Sequence, residues 1–181
     1  MNMIPDCMIE FFRWMDAHEG RVPLSELVRQ VRRVGVTFDD VSHVAQFNPE
    51  RYQRNLLHAG PGYHALVLCW RNGQRSPIHD HKDSSCAVKV LRGTATETFF
   101  DRAPNGLLIP TRSRSLEEGE ICGSQDDDVH QVSNLQPGGL DLVTLHIYSP
   151  PLTAMRVYSL TDSRVTWMDD PIFELVDGGG I

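Results

Sequence analysis

No run of apolar residues in this chain approaches the roughly 20 that a helix needs to cross a bilayer. The first residues also lack the pattern of a secretory signal, because Asp6 and Glu10 stand where basic and then unbroken apolar residues would be required. The four cysteines, Cys7, Cys69, Cys86 and Cys122, are far apart and form no C-x-x-C pair. They therefore read as reduced thiols, and the cytoplasm is the expected compartment. There is no basic run, and 17 Lys and Arg against 24 Asp and Glu leave a net charge of −7. That balance argues against nucleic acid as a partner, and nothing points to a membrane. A small anionic substrate must then be drawn in by local positive charge and not by the field of the whole molecule. No internal repeat is present.

What remains is 181 residues with 40% apolar and 23% charged side chains, most simply one domain with its own core. It divides into a mainly helical part (1–58), a β-barrel part (59–165) and a C-terminal tail (166–181). Pro5 suits a first helical position, and Met8, Ile9, Phe11, Phe12 and Met15 give an apolar face before Gly20. Leu24, Leu27, Val28 and Val31 predict a second helix over Pro23 to Val34, and Thr37 could cap a third over Phe38 to Phe47. From about Arg54 the period becomes extended. Tyr63 to Trp70 reads as a strand buried on both faces. Further strands are predicted at Ser76–His81, Cys86–Leu91, Ala95–Asp101, Leu107–Pro110, Ser113–Glu117, Ile121, Val129–Leu135, Asp141–Ser149 and Met155–Leu160, with turns rich in Gly, Pro, Asn and Asp between them. Many short strands at this spacing predict a mainly β, antiparallel sandwich or barrel with the helices packed outside. The end, Asp177 to Ile181, is expected to fray.

Three features carry chemistry. His79 and His81 stand two apart just ahead of a strand, so both imidazoles project from one face. With His130 they offer three neutral nitrogens and no carboxylate, the ligand set of an open, catalytic metal site. Asp141–Tyr148 alternates Val143, Leu145, Ile147 with Thr144, His146, Tyr148. The apolar set would pack under the helices and the polar set line a cavity, with Thr144 orienting His146 and His146 orienting the Tyr148 hydroxyl. Arg54 follows Tyr52 just before the buried strand, and arginine is suited to clamping a carboxylate. On residue type alone Arg51, Arg71 and Arg75 are its rivals.

The frame Gly73, His79-x-His81, Cys86, Gly93 resembles the first signature motif of the cupin superfamily, with Cys86 where that motif usually has Glu. His130 and Asn134 are similar to the end of the second motif, whose Gly is only approximated by Gly119 or Gly123. Over residues 52–151 the chain resembles the cysteine dioxygenases, cupin thiol dioxygenases. The matching pieces are Y-Q-R-N-L at Tyr52, L-C-W at Leu68, S-P-I-H-D-H-K-D-S-S-C at Ser76, E-T-F-F-D at Glu97, H-Q-V-S-N at His130 and L-H-I-Y-S-P-P at Leu145. The resemblance implies a cupin fold and an enzyme that oxidises L-cysteine with O2 to cysteine sulfinate. It implies Fe(II) on His79, His81 and His130. Arg54 would take the substrate carboxylate, helped by Tyr52 or Tyr148, and Tyr148 would stand beside the iron. It also implies a possible Cys86–Tyr148 thioether, a Thr144 in place of the usual relay Ser, and a cis peptide at Ser149–Pro150. The working unit is expected to be a monomer.

Two other classes of function share these residues. Within thiol oxidation the rival substrate is 3-mercaptopropionate, whose dioxygenases tend to carry Gln at the position of Arg54. Outside it stand a cupin isomerase or hydrolase using Zn, Mn or Ni, and a cupin that binds a small molecule without catalysis.

Overall fold

The computed structural model describes residues 4–170 and Ile172. The apolar stripes of the N-terminal part form helices α1 (Ile9–Asp16), α2 (Leu24–Arg33) and α3 (Phe38–Val41), preceded and followed by short 3₁₀ turns. Phe11, Phe12 and Met15 of α1 and Leu27 and Val31 of α2 are buried, as their i, i+3, i+4 spacing requires. Thr37 and Asp40 make a capping box at the start of α3. That helix was expected to reach Phe47 but stops at Val41. Ser42 Oγ donates back to the Asp39 carbonyl at 3.0 Å, a local bond that competes with helix continuation.

Nine antiparallel strands follow among the described residues: β1 (Gln53–Gly60), β2 (Tyr63–Trp70), β3 (Ile78–Arg92), β4 (Ala95–Arg102), β5 (Leu108–Leu116), β6 (Ile121–Ser133), β7 (Leu142–Ser149), β8 (Ala154–Tyr158) and β9 (Val165–Asp169). Their hydrogen-bonded order is β1-β2-β7-β3-β6-β4-β5, with β8 paired to β3 and to β9. The mainly β architecture with N-terminal helices is as expected. The strand divisions differ. The two strands expected on either side of Asp83 are one bent strand, β3, and the same holds for β5 and for β6. Register shifts at His79/His81 and His81/Ser85, and left-handed backbone at Asp83 (φ 61°) and Asp126 (φ 52°), interrupt the alternation at which the sequence suggests a break. Strand β9 lies where the tail was placed; its side chains are mostly exposed, so it carries no burial alternation, and it is held by pairing with β8. The expected fraying of Asp177–Ile181 lies outside the described residues.

The sheet has a core on each face. On one, Ala65, Val67, Cys69, Ala87, Val143, Leu145 and Ile147 pack with the buried residues of α1 and α2. On the other, Leu66, Leu68, Trp70, Cys86, Val88, Tyr148 and Leu142 meet Ala95, Leu116, Cys122 and Val132 from β4, β5 and β6. The alternation in β7 is therefore resolved as anticipated, with the apolar set under the helices and Thr144, His146 and Tyr148 facing inward. Gly123 brings α2 against β6, since a Cβ there would lie 2.7 Å from Val28 Cγ2 and 2.8 Å from Leu24 Cδ1. Among the described residues no helix is long and apolar enough to cross a membrane.

Candidate metal centre

His79 and His81 project from β3 and His130 from β6, where His79 and His130 are register partners. The three rings sit at the corners of a nearly equilateral triangle, with centroids 5.0, 4.8 and 4.8 Å apart. One nitrogen from each lies within 4.8 Å of the others, and all three side chains are buried. Burial, and the positive charge that a neighbouring His130 would add, push the His79 imidazole down to about 3 and His81 well below its ordinary value. His79 and His81 are thus held neutral, the form that binds metal. His81 Nδ1 and His130 Nε2 are buried with no hydrogen-bond partner among the described residues. His79 Nδ1 lies 3.0 Å from the Pro77 carbonyl, which leaves its Nε2 for a ligand. Buried nitrogens left without partners among three rings this close together fit a cation.

Side chains that the sequence reading did not assign hold these rings. Glu97 of β4 accepts from His130 Nδ1 at 2.7 Å, and its other oxygen takes Arg114 Nη2 at 2.6 Å. Burial alone would raise the Glu97 carboxyl, but the bond from His130 and the charge on Arg114 outweigh it and hold the group below its usual range. Asp80, between the two histidines of β3, is wholly buried and accepts from Arg156 Nε at 2.5 Å and Tyr158 Oη at 2.6 Å on β8. Arg21 donates to Ser85 Oγ at 2.9 Å and to both Asp126 oxygens at 2.6 and 3.0 Å, so the loop after α1 clamps the bend that carries His81. Glu97 had a signal available: it is an acidic residue in an otherwise β-forming run, E-T-F-F. Asp80 had one too, lying between two ligands. Arg21 had none.

The chain of polar groups expected on β7 is present. Thr144 Oγ1 lies 2.9 Å from His146 Nε2, and His146 Nδ1 lies 3.2 Å from the Tyr148 hydroxyl. Trp70 Nε1 donates to Thr144 at 3.0 Å and fixes its far end. Burial, with Arg54 nearby, pushes His146 down, while burial and Cys86 push Tyr148 well up, so both stay neutral. Cys86 and Tyr148 are direct cross-strand partners, and burial keeps the Cys86 thiol protonated. The Ser149–Pro150 peptide is cis.

Arg54 stands on β1 with Tyr148 beneath it, the guanidinium 5.5 Å from the ring centroid. Together with Tyr52, it lines both the small space bounded by the three histidines and a larger outer cavity of about 500 Å³. Tyr52 stacks on Trp70 at 4.3 Å. Of the rival arginines, Arg71 is an exposed partner of Asp141, and Arg51 and Arg75 line only the outer cavity. Arg54 already has a partner: its Nη2 lies 2.5 Å from Asp170 Oδ2, and both side chains are buried. Asp170 was not anticipated, since nothing in M-D-D-P marks it.

An antiparallel β fold with helices on one face and three imidazoles gathered from two strands makes this a cupin with a metal-binding cluster. The chain belongs to the cysteine dioxygenase type I family, whose model matches residues 26–161. It is 37% identical over 122 residues to cysteine dioxygenase type 1 of Danio rerio, covering 63% of this chain and 59% of that one. Against cysteine dioxygenase type 1 of Homo sapiens it is 36% identical over 123 residues, with 63% and 58% covered. The chain thus spans about three-fifths of the length of these relatives. The crystal structure of a Thermus thermophilus protein superposes with a TM-score of 0.51 at 16% identity, over 61% of this chain and 94% of that one, a likeness of fold alone.

Proposed function

We propose that the protein is a non-haem Fe(II) dioxygenase that converts L-cysteine and O2 to cysteine sulfinate. The observation that carries this is the buried cluster of three imidazoles, with no carboxylate among the ligand groups gathered there. Such a set leaves the full charge of a divalent ion in place, which favours a substrate arriving as a thiolate. Bound iron would supply thiolate coordination and O2 activation. His79 and His130 would hold it through the Nε2 nitrogens left free by their bonds to Pro77 and Glu97, with His81 as the third ligand.

The other residues bind and orient. Arg54 takes the carboxylate of the amino acid as a charge-assisted pair, and Tyr52, stacked on Trp70, walls the same side. The Tyr148 hydroxyl, kept protonated, donates toward the reacting atoms, and His146 and Thr144 fix its direction without adding charge. Cys86 stands beside Tyr148 across the strand pair, where a thioether can form between them. In that reaction O2 would take up the two hydrogens lost.

The test is oxygen uptake by iron-loaded protein with a panel of small thiols, and identification of the product. The expected result is iron-dependent uptake with sulfinate formed and kcat/KM higher for L-cysteine than for 3-mercaptopropionate. The reverse order would reassign the substrate. Zinc in the purified protein together with no uptake after iron loading would remove the dioxygenase reading. For the crosslink, the expected sign is loss of two hydrogens in the intact mass after turnover, absent in Cys86→Ser.

A further inference from the structure

The guanidinium assigned to the substrate carboxylate is already occupied by a carboxylate. Arg54 and Asp170 meet at 2.5 Å with side chains only 8% and 2% exposed, so solvent does little to screen the pair. Asp170 is built into place: its backbone N–H donates to the Thr153 carbonyl at 2.8 Å, and its other oxygen accepts from the Ile172 amide at 3.0 Å. A buried guanidinium without a counter-ion is strongly disfavoured, so a resident anion lets Arg54 stay inside when no substrate is present. The pairing is one-sided. Asp170 contacts Nη2, while Nε is buried with no partner among the described residues.

Space bears on the same point. The volume between the histidines, Arg54 and Tyr148 is about 10 Å³, room for one water-sized body and not for an amino acid. The adjoining outer cavity, of about 500 Å³, shares Arg54 and Tyr52 with it and is lined by Asp169 and Ile172, the described residues flanking Asp170. Arg54 thus stands in the wall between the two, with Asp170 on one of its nitrogens. A carboxylate binding in a fork needs two adjacent guanidinium N–H groups, and the unpartnered Nε can complete such a fork only with a neighbouring Nη.

We propose that Asp170 is a specificity-determining residue, an internal competitor that an incoming carboxylate displaces from Arg54. This rests on the reading of Arg54 as the carboxylate-binding residue. Substrate binding is then an exchange of one anion for another, with no covalent change and the charge around Arg54 conserved. A thiol lacking a carboxylate cannot make the exchange. Asp170 therefore tempers the preference for acidic thiols, and its removal sharpens that preference.

The experiment measures anaerobic binding of L-cysteine and of cysteamine, which differ only in the carboxylate, to the iron-loaded full chain by calorimetry. Asp170→Asn keeps the shape and an oxygen for the Ile172 amide but removes the charge. The ratio of Kd for cysteamine to Kd for cysteine is expected to rise about tenfold in this variant, the lower end of what a charge-assisted hydrogen bond contributes. Arg54→Met is expected to collapse the ratio toward one. An unchanged or lower ratio in Asp170→Asn, with collapse in Arg54→Met, would make Asp170 a mere support of Arg54 and overturn the proposal while leaving the Arg54 reading intact. No collapse in Arg54→Met would remove that reading, and the competitor role with it. Asp170→Ser, which also retains an oxygen acceptor without charge, is read in the same way should the Asn variant not fold.

Discussion

Glu97 shows how one carboxylate can serve a metal site without touching the metal. It accepts from His130 Nδ1 and is itself held by Arg114, which fixes the ring's orientation and tautomer and turns Nε2 toward His79 and His81. A carboxylate acceptor also makes the imidazole a stronger donor to a cation. In Glu97→Gln the shape is kept but the anion is lost and Arg114 loses its partner. Metal affinity is expected to fall about 10- to 100-fold, measured by competition with a chromophoric chelator. Affinity within about twofold of the parent, far short of that range, would mean that His130 is oriented by packing alone.

At the scale of elements, α2 lies on β6 because Gly123 leaves no Cβ between them. Gly123→Ala would place a methyl within 2.8 Å of Val28 and Leu24 side-chain atoms. Those atoms belong to half-buried side chains that must rotate away or carry α2 with them, so the expected cost is about 1–3 kcal/mol, read from the denaturant midpoint. A cost below about 0.5 kcal/mol, the range of an unremarkable surface change, would mean that Val28 and Leu24 rotate clear and that the glycine is not what seats α2 on β6. The strands also show what was legible in the sequence and what was not. The period of two in Val143–Tyr148 told which face of β7 is inside, and H-x-H told that two ligands share a face, because both depend on local geometry. The continuity of β3 through Asp83 and of β6 through Asp126 was hidden, because bent strands with left-handed residues break the alternation that marks a strand. Arg21 on Asp126 and Asp170 on Arg54 join residues 105 and 116 positions apart, and no local pattern reports such pairs. Glu97 behind His130 and Asp80 between the ligands were visible as charged residues in β-forming runs, but no spacing rule tied them to the cluster.

Over the whole molecule, a folded protein without metal keeps several imidazoles both buried and neutral, and that makes its stability depend on pH. His79 is pushed down to about 3 by burial and by His130, and His81 and His146 are lowered for the same first reason. In the unfolded chain each would titrate near ~6.5. Between these values the unfolded state binds more protons than the folded one, so stability rises with pH there and is lost as pH falls below about 6.5. Each such imidazole adds up to ~1.4 kcal/mol per pH unit to that slope. The metal-free protein is therefore expected to lose thermal stability steeply between about pH 7 and pH 5. Saturating divalent metal should raise Tm most at the upper end of that range, since the cation binds only the folded cluster and competes with protons for the same nitrogens. Calorimetry of metal-free and metal-loaded protein at about pH 7.5, 6 and 5, spanning the titration of a free imidazole, measures both effects. A flat metal-free profile over this range would show that His79, His81 and His146 are reached by solvent and protonated within the folded protein, and the two of them in the cluster, His79 and His81, would then lack the closed, neutral character on which the cluster's use as a metal centre depends.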